Sequence, residues 1–371
     1  MRILHIIPEL NKGGAERLVV DIGNELKSRQ GIEVCIVVFR PKNAYAVFSK
    51  DLDIRVIHSK VLPSLTKQMT IEVTELQQWI DTYQPDVIHS HLFETEMVLS
   101  QVNCGNALRV MHFHDNMPQL EPFSFRILRS KKALTNWYER QIILKAWKSV
   151  THKMALTISR DTSSYAKRVL PQGNKVQQRL NGIVVERFTP LQTILSNELT
   201  LCMIGSLVPK KGQELAIRTV AALHKMGLPF QLHLVGDGPL RDDLKTHTAN
   251  LNLSNHVHFH GNVDHPEDFL HRSMIYLHTA YYEPLGLVIL EAMAAGVPVV
   301  SLDGGGNRDI IKHGENGFLL TNPDPEEFAS LINQLANDPA YRQQIAQTAA
   351  EFVKDFDISI YVDRLLEIYR S

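Results

Sequence analysis

The sequence predicts an α/β protein made of two doubly wound domains, each built on a parallel sheet. Three observations carry this prediction: a length of 371 residues, an average apolar share of 44%, and short β-rich runs that alternate with longer helical stretches. Because a single core rarely serves a chain much longer than about 250 residues, this length favours two domains. Alternating strands and helices are typical of βαβ units, which form parallel sheets.

In the first half, short runs rich in β-branched and aliphatic residues are expected to be strands. They cover residues 3–7, 33–39, 54–57, 87–89, 109–113 and 155–158. Helices are expected between these runs, where apolar residues recur at helical spacing. They cover residues 15–28, 71–83, 94–104 and 134–147.

A second series of strand signals follows, again separated by helical segments. These signals cover residues 199–204, 231–235, 257–260, 274–277, 297–301 and 317–319. The segment between the two series contains a turn signal and Pro190, so a domain boundary is expected there. We place the first domain at residues 1–190 and the second at residues 191–355. Ligands of open α/β sheets bind beyond the carboxyl ends of the strands, so a site in a cleft between the domains is expected.

The net charge of -1 hides an asymmetry between the two halves. Residues 1–190 carry 26 Lys and Arg against 18 Asp and Glu, whereas residues 191–371 carry 13 against 22. Within the basic half, residues 121–190 hold 14 basic and 4 acidic side chains, a local charge of +10. Such a patch attracts phosphate-bearing or membrane partners, although a solvated protein face can have the same composition.

Only three cysteines occur, Cys35, Cys104 and Cys202, and none stands in a CxxC pair. This pattern argues against a disulfide framework and against a zinc knuckle. No apolar run approaches the about 18 residues needed to cross a bilayer, and the first strand signal ends at Pro8 without a cleavage-type sequence. We therefore expect a cytoplasmic protein.

Two acids that are eight residues apart, Glu283 and Glu291, lie largely on one predicted helix. Pro284 and Gly286 suit the start of that helix. At 1.5 Å per residue the two acids are about 12 Å apart, too far to share one proton or metal ion. The spacing suits opposite ends of an extended ligand, with a phosphate at the helix N-terminus between them. Taken alone, a surface helix that carries two carboxylates explains the pattern as well.

This stretch resembles the E-x7-E signature of retaining GT-B glycosyltransferases of family 4, also called group 1, of the type that builds bacterial surface polysaccharides. The family's first acid binds hydroxyls of the transferred sugar and its second binds the nucleotide ribose, so the resemblance implies these roles for Glu283 and Glu291. It also implies two Rossmann-like domains that face a central cleft, the first for the acceptor and the second for the nucleotide sugar. A C-terminal helix at residues 356–371 would cross back to the first domain. The donor-binding helix start would comprise Leu285, Gly286 and Leu287.

A glycine-rich turn follows the first predicted strand. Gly13 and Gly14 allow close approach of a ligand to the backbone, and a helix begins directly after them. Alone, such a pair is usually only a turn. The resemblance implies that Gly13 and Gly14 line the donor phosphates and that Arg17 is a candidate on the acceptor side.

Two His-x-His pairs fall on predicted strands, and this spacing puts both rings of a pair on one face. They are His89 with His91 and His112 with His114. Such pairs can bind a metal ion, but clear cysteine or carboxylate co-ligands at metal spacing are absent, so no metal site is expected. The resemblance implies that His114 contacts the transferred sugar, and His91 is a candidate on the acceptor side.

Two further glycine turns could hold phosphate. The turn at residues 205–212 contains Lys210 and Lys211, although lysines beside a turn are most often simply exposed. The resemblance implies that Lys211 binds the donor diphosphate and acts in catalysis with His114 and Glu283. The family commonly has arginine where Ser206 stands, so one cation of the donor site is lost here. Three glycines at residues 304–306 are expected to form an anion-holding nest.

The resemblance implies a hexosyltransferase that moves a sugar from a nucleotide diphosphate sugar to a hydroxyl acceptor with retained configuration. No cofactor and no metal ion are expected. Cell-surface polysaccharide or glycolipid synthesis is the expected setting, and the acceptor could be lipid-linked. Two alternatives remain open: a nucleotide-sugar epimerase or hydrolase of the same fold, and a non-catalytic nucleotide-sugar-binding subunit.

Residues 121–153 mix basic with aromatic and aliphatic side chains, which predicts peripheral docking on an anionic inner membrane face. An ordinary domain helix with core aromatics explains the mixture equally well. Nucleic acid is not expected as a partner, because the segment has no recognisable nucleic-acid-binding fold. The basic members are Arg126, Arg129, Lys131, Lys132, Arg140, Lys145 and Lys148, and the apolar ones are Phe123, Phe125, Ile127, Leu128, Trp137, Ile142, Ile143 and Trp147.

Overall fold

The computed structural model describes residues 1–59, 61–62, 70–122, 130–190 and 198–370. In chain order, the strands are β1 (Arg2–Ile7), β2 (Glu33–Val38), β3 (Asp53–Val56), β4 (Val61–Leu62), β5 (Thr70–Ile71), β6 (Val87–His91), β7 (Leu108–Phe113), β8 (Lys153–Thr157), β9 (Val176–Gln178), β10 (Leu199–Ile204), β11 (Phe230–Val235), β12 (Val257–Gly261), β13 (Ile275–His278), β14 (Val299–Leu302) and β15 (Phe318–Leu320).

The helices are α1 (Gly14–Lys27), α2 (Thr74–Tyr83), α3 (Phe93–Leu99), α4 (Lys131–Ser149), α5 (Arg160–Val169), α6 (Val185–Phe188), α7 (Gln213–Lys225), α8 (Arg241–Asn250), α9 (Glu267–His271), α10 (Leu287–Ala294), α11 (Pro325–Asn337), α12 (Pro339–Val353) and α13 (Ile358–Tyr369). Short 3-10 turns stand at Pro118–Leu120, Pro209–Lys211, Gly306–Asp309 and Lys354–Phe356.

The chain divides into two compact units. The first unit comprises Met1–Gly182 and Ile358–Ser371, and the second comprises Ile183–Asp357. Residues 183–190, which the sequence places in the first domain, lie in the second unit. The backbone explains this position, because the Ile183 N–H donates to the carbonyl oxygen of Phe356 at 2.9 Å.

The first unit is built on a parallel sheet with the strand order β3-β2-β1-β6-β7-β8-β9. Alternate residues of β1 face opposite layers, as expected for a strand that is buried on both faces. Leu4 packs with Leu76 of α2, whereas Ile7 packs with Val19 of α1. The C-terminal helix α13 packs on α1 in this unit, and the Arg29 guanidinium pairs with Asp363 at 3.0 Å.

The second unit is built on a parallel sheet with the strand order β12-β11-β10-β13-β14-β15. Its core gathers aliphatic residues of the central strands with those of α7 and α11, such as Leu201, Val220 and Ile332. Both sheets start at a central strand, grow to one edge, and then restart on the other side of that strand. The predicted α/β class with two doubly wound domains is therefore confirmed.

Several boundaries differ from the sequence prediction, among them those of α2, α3 and α4. Helix α4 begins three residues earlier than expected, because the Ser130 hydroxyl accepts a hydrogen bond from the Ala133 N–H at 3.4 Å. Helix α3 ends at Leu99, since the chain turns there, whereas the prediction continues to residue 104. Ile71, expected in a helix, pairs in β5 instead.

Candidate active site

The second sheet places two loops side by side at the point where its strand order reverses. Strands β10 and β13 are neighbours, and the strands that follow each of them lie towards opposite edges of the sheet. The loops at residues 205–212 and 279–286 therefore meet beyond the carboxyl ends of these two strands. Ligands of open α/β sheets bind at such a switch point.

Lys211 and Glu283 form an ion pair across these two loops. The Lys211 Nζ lies 2.5 Å from Glu283 Oε2, and His278 Nε2 lies 3.2 Å from the same oxygen. Glu283 is only 7% exposed. Burial alone would raise its pKa, but His278 and the positive charge of Lys211 outweigh burial and lower the pKa of Glu283 to about 2. Glu283 is therefore a carboxylate at neutral pH, and it can accept hydrogen bonds from hydroxyl groups.

The backbone of Glu283 is fixed by the glycine run at residues 304–306. The Glu283 N–H donates to the Gly304 carbonyl oxygen at 2.8 Å, and the Gly306 N–H donates to the Glu283 carbonyl oxygen at 2.8 Å. A Cβ added at Gly306 would lie 1.7 Å from the Pro284 carbonyl oxygen. Only glycine allows this approach of two backbones.

The prediction that residues 304–306 form an anion-holding nest is wrong. Their three N–H groups already have acceptors inside the loop. Gly304 donates to Asn307 Oδ1 at 2.9 Å, Gly305 donates to Asp303 Oδ1 at 3.0 Å, and Gly306 donates to Glu283 as described. The glycine run thus positions a site residue and does not present free donors.

The turn that carries Lys211 is locked to the loop of Glu283. Gly212 has a left-handed φ of 69°, and its carbonyl oxygen accepts a hydrogen bond from the Thr279 hydroxyl at 2.8 Å. A Cβ at Gly212 would lie 2.0 Å from the Thr279 carbonyl oxygen. The Tyr281 N–H also donates to the Lys210 carbonyl oxygen at 2.9 Å. The two loops therefore hold Lys211 and Glu283 together.

The other donor-site candidates of the second unit surround this pair. Helix α10 begins at Leu287 with Gly286 as its N-cap, directly after the buried Leu285. The first N–H groups of a helix have no partner within the helix and lie at its positive end. Glu291 lies in the second turn of α10 and is half-buried, and Ser206 is exposed in the turn after β10.

In the first unit, the glycine turn leads directly into α1. Gly13 is the N-cap residue and α1 begins at Gly14. The Tyr45 hydroxyl lies 2.9 Å from both the N–H and the carbonyl oxygen of Gly13, which fixes the turn. Arg17 is one turn further along α1, where it pairs with Asp21 at 2.8 Å and lies over the Phe48 ring at 4.1 Å.

His91 and His114 belong to a cluster of five buried histidines at the switch point of the first sheet. The Nδ1 of His91 lies 2.8 Å from the Nε2 of His114. His5, His89 and His112 complete the cluster, which lies on β1, β6 and β7 and directly after β7. Burial lowers the pKa of His114 to about 3, so its imidazole is neutral near pH 7.

The wider part of this cluster was not expected from the sequence. His5 pairs in register with His89, and His91 pairs with His112, so neighbouring strands place the rings side by side. Histidines at alternate positions of neighbouring strands are the signal for such a cluster. The sequence does not show which strands are neighbours, so the cluster was missed. His278, which contacts Glu283, was also missed; its position directly before the loop of Glu283 is the only signal.

Only some side chains of the basic segment at residues 121–153 are exposed and could contact a membrane. Phe123, Phe125, Arg126, Ile127, Leu128 and Arg129 lie outside the described residues. In α4, Ile143 and Trp147 are fully buried in the domain core, so the expectation that they face lipid is wrong. Their periodicity could not separate a core face from a lipid face. The lysines at 131, 132, 145 and 148 are exposed.

Within the described ranges, no helix has the length and apolar character that crossing a membrane requires.

Two sequence models of known families match this chain. The model described as Glycosyltransferase Family 4 matches residues 12–183, and the model described as Glycosyl transferases group 1 matches residues 187–352. The first match lies in the unit with the histidine cluster, and the second covers the loops of Lys211 and Glu283.

Individual proteins agree with these matches. A Bacillus subtilis protein, EpsD, which is named as a glycosyltransferase, is 27% identical over 310 residues, or 80% of this chain and 79% of that protein. A Campylobacter jejuni protein is 22% identical over 374 residues, or 99% of this chain and 98% of its own. It is named as an alpha-1,4-N-acetyl-D-galactosaminyltransferase of a PP-undecaprenol-linked saccharide.

The solved structure of Anabaena HepE in complex with UDP and glucose has a TM-score of 0.79 to this chain. The two sequences are 21% identical, and the likeness covers 100% of this chain and 99% of HepE. The chain belongs to the group 1, family 4 glycosyltransferases and is a glycosyltransferase enzyme of the GT-B fold.

Proposed function

We propose that this glycosyltransferase moves a sugar from a nucleotide diphosphate sugar to a hydroxyl group of an acceptor, and that the sugar keeps its anomeric configuration. The observation that carries the proposal is the ion pair of Lys211 with the buried carboxylate of Glu283 at the switch point of the second sheet. A cation for a diphosphate and a carboxylate for sugar hydroxyls stand together there, beside the positive end of α10.

Each donor residue has one role in this proposal. The carboxylate of Glu283 accepts hydrogen bonds from sugar hydroxyls, and Lys211 exchanges Glu283 for the diphosphate when the donor binds. Leu285, Gly286 and Leu287 form the start of α10, whose first N–H groups face the phosphates. Glu291, one turn further along, binds the ribose. Ser206 lies at the turn after β10 and brings no charge, so Lys211 carries more of the charge compensation.

Bond changes in the proposed reaction need no side-chain nucleophile. The bond between the anomeric carbon and the leaving phosphate oxygen breaks, and its electron pair goes to the diphosphate. The acceptor oxygen attacks the anomeric carbon from the same face, and its proton passes to the departing phosphate oxygen. Stabilisation of the diphosphate charge is then the main catalytic task of the protein.

In the same proposal the first unit binds the acceptor. His114 is neutral, so one ring nitrogen can donate to a sugar hydroxyl or accept from it. Gly13 and Gly14 border the donor phosphates, and Arg17 and His91 belong to the acceptor side. We assign the reaction to the synthesis of cell-surface polysaccharide or glycolipid. The Campylobacter relative, whose name includes an undecaprenol diphosphate, supports a lipid-linked acceptor.

A thermal-shift panel of nucleoside diphosphates and their sugars tests the donor part of this proposal. A ligand at 100 times its Kd adds about 2.7 kcal/mol of stability, so one nucleotide should raise the Tm clearly above the others. The HepE complex makes UDP the first candidate. Replacement of Lys211 by alanine should remove most of the shift, whereas replacement of the exposed Lys225 should leave it unchanged. A wild-type protein that no nucleoside diphosphate stabilises would refute the proposal.

We expect that a strong chelator leaves sugar transfer largely intact. The proposed site meets the diphosphate with Lys211 and the backbone of α10, so it needs no divalent cation to balance the leaving charge. Transfer is measured before and after chelation and dialysis. Activity that disappears on chelation and returns with added magnesium or manganese would contradict this expectation.

We also propose that α4 docks the enzyme on an anionic membrane surface. Each exposed lysine close to such a surface contributes about 1 kcal/mol, and the attraction weakens as salt screens it. Sedimentation with anionic vesicles should show binding at low salt that falls at physiological salt. The double variant Lys131→Glu, Lys132→Glu should bind less, and Lys225→Glu with Lys245→Glu in the second unit is the matched control. Equal binding to neutral vesicles would contradict docking by charge.

A further inference from the structure

The five-histidine cluster of the first unit has more nitrogen atoms than the proposed sugar contact needs. Two groups of three histidines bring one ring nitrogen each within 4.8 Å of the others: His5 with His89 and His91, and His91 with His112 and His114. Both groups consist of buried side chains, and within the described residues no other group of metal-ligand type meets this distance.

The hydrogen bonds of the cluster separate two sets of histidines. His91, His112 and His114 form one set, and His5 and His89 are their hydrogen-bond partners. His91 Nε2 lies 2.9 Å from His5 Nδ1, and His112 Nδ1 lies 3.1 Å from His89 Nε2. His89 Nδ1 in turn lies 2.5 Å from the Tyr369 hydroxyl of α13. Of the nitrogens outside these contacts, Nδ1 of His91 lies 2.8 Å from Nε2 of His114. One ring nitrogen of His112 lies within 4.8 Å of ligand atoms of both residues.

One of these nitrogens is buried without a partner. Within the part of the chain that the structure describes, His112 Nε2 has no hydrogen-bond partner, although its residue is fully buried. A buried polar atom without a partner costs free energy unless something binds it. The Nδ1 of His91 and the Nε2 of His114, which face each other at 2.8 Å, complete a set of three nitrogens.

We propose that His91, His112 and His114 bind one transition-metal ion of the zinc type through Nδ1, Nε2 and Nε2, respectively. Neutral imidazoles are ligands that such ions prefer, and three histidines with one open position form a known type of zinc site. His114 is the least buried of the three, at 9% exposure, so a water molecule takes the fourth position on its side.

Proton positions in the cluster are consistent with this assignment. An imidazole that binds the ion through one nitrogen carries its proton on the other. His91 then donates from Nε2 to His5 Nδ1, and His112 donates from Nδ1 to His89 Nε2. His89 keeps its proton on Nδ1 and donates it to the Tyr369 hydroxyl. The second nitrogens of His91 and His112 thus each donate to a neighbouring histidine. Metal-bound histidines usually donate their second N–H to such an outer partner.

The ligand nitrogens must move only slightly to close around an ion. At a zinc–nitrogen distance of about 2.0 Å, tetrahedral ligands are about 3.3 Å apart. The three ligand atoms of this group lie within 4.8 Å of one another. The expectation of no metal site rested on missing cysteine and carboxylate partners along the sequence. Pairing of β6 with β7 supplies histidine partners instead.

Direct binding of zinc(II) to the full-length chain tests the proposal without any activity assay. The purified protein is chelated, dialysed and titrated with zinc(II) in a calorimeter, and cobalt(II) is used to record visible absorption bands of a tetrahedral site. We expect one ion per chain. His91→Gln and His112→Gln should each weaken binding at least tenfold and abolish the cobalt bands.

Controls separate this site from other histidines and from loss of the fold. His260→Gln removes a member of an exposed histidine pair in the second unit and should leave binding unchanged. His5→Gln removes a supporting acceptor and should weaken binding about tenfold without abolishing it. Circular dichroism reports folding, and His114→Gln at the rim replaces any variant that unfolds. Absence of zinc binding to the wild type, or its loss in His260→Gln alone, would overturn the proposal.

Discussion

Replacement of Glu283 by alanine is expected to lower the rate of sugar transfer about 100-fold, or ~2.7 kcal/mol, and to leave binding of the bare nucleoside diphosphate intact. The carboxylate is buried and ionised, and we propose that it contacts sugar hydroxyls, which the bare nucleotide lacks. The variant also releases Lys211 from its ion pair, so the lysine stays available for the diphosphate.

The second acid of the pair provides the contrast. Glu291→Ala should weaken the nucleoside diphosphate about tenfold, or ~1.4 kcal/mol, because one charged hydrogen bond to the ribose is lost. Calorimetric titration with the nucleotide measures both variants, and Glu315→Ala, an exposed acid of the same unit, serves as control. If both variants lose nucleotide affinity to the same extent, the assignment of the two roles is wrong.

Replacement of Gly306 by alanine is expected to destabilise the second unit by about 2 kcal/mol or more and to reduce transfer strongly. The new Cβ would stand 1.7 Å from the Pro284 carbonyl oxygen, so one of the two backbones must move. That movement breaks the hydrogen bond that the Gly306 N–H donates to the Glu283 carbonyl oxygen. Thermal denaturation and the transfer rate report the two consequences.

Gly314→Ala is a matched control for this steric argument. Gly314 has a left-handed φ of 76°, but no described atom lies within 4 Å of an added Cβ. The control should cost about 1 kcal/mol through backbone strain alone and keep the transfer rate. A Gly306→Ala protein that is as active and as stable as this control would show that the glycine run does not hold Glu283.

Much of the fold follows from short-range patterns. The central strands β1 and β10 are mostly aliphatic runs of six residues, because both of their faces are buried. The start of α4 is predicted less well from apolar periodicity. The Ser130 hydroxyl caps the helix, so α4 begins before the first residue of the apolar pattern. The domain boundary likewise depends on a contact between Ile183 and Phe356, which are distant in sequence.

The sequence predicts the site residues that lie within single recognisable loops. It does not predict contacts between residues that are far apart along the chain. Lys211 and Glu283 belong to two separate sequence motifs, and the strand order brings them to 2.5 Å, a contact that the sequence does not predict. The glycine run at residues 304–306 has the composition of an anion nest, yet Asn307, Asp303 and Glu283 already occupy its donors. Only the three-dimensional pairing of donors and acceptors distinguishes a binding loop from a supporting one.

The central claim is that the second unit binds the nucleotide of the donor at the loops of Lys211 and Glu283. Photo-crosslinking with an azido analogue of the nucleotide that stabilises the protein most, followed by peptide mapping, measures this location directly. We expect labelled peptides from residues 205–213 or 283–291, with labelling that the unmodified nucleotide prevents. The azido group is placed on the base, away from the phosphates that Gly13 and Gly14 border in the proposal. Labelling by this analogue that is confined to the first unit would contradict the claim.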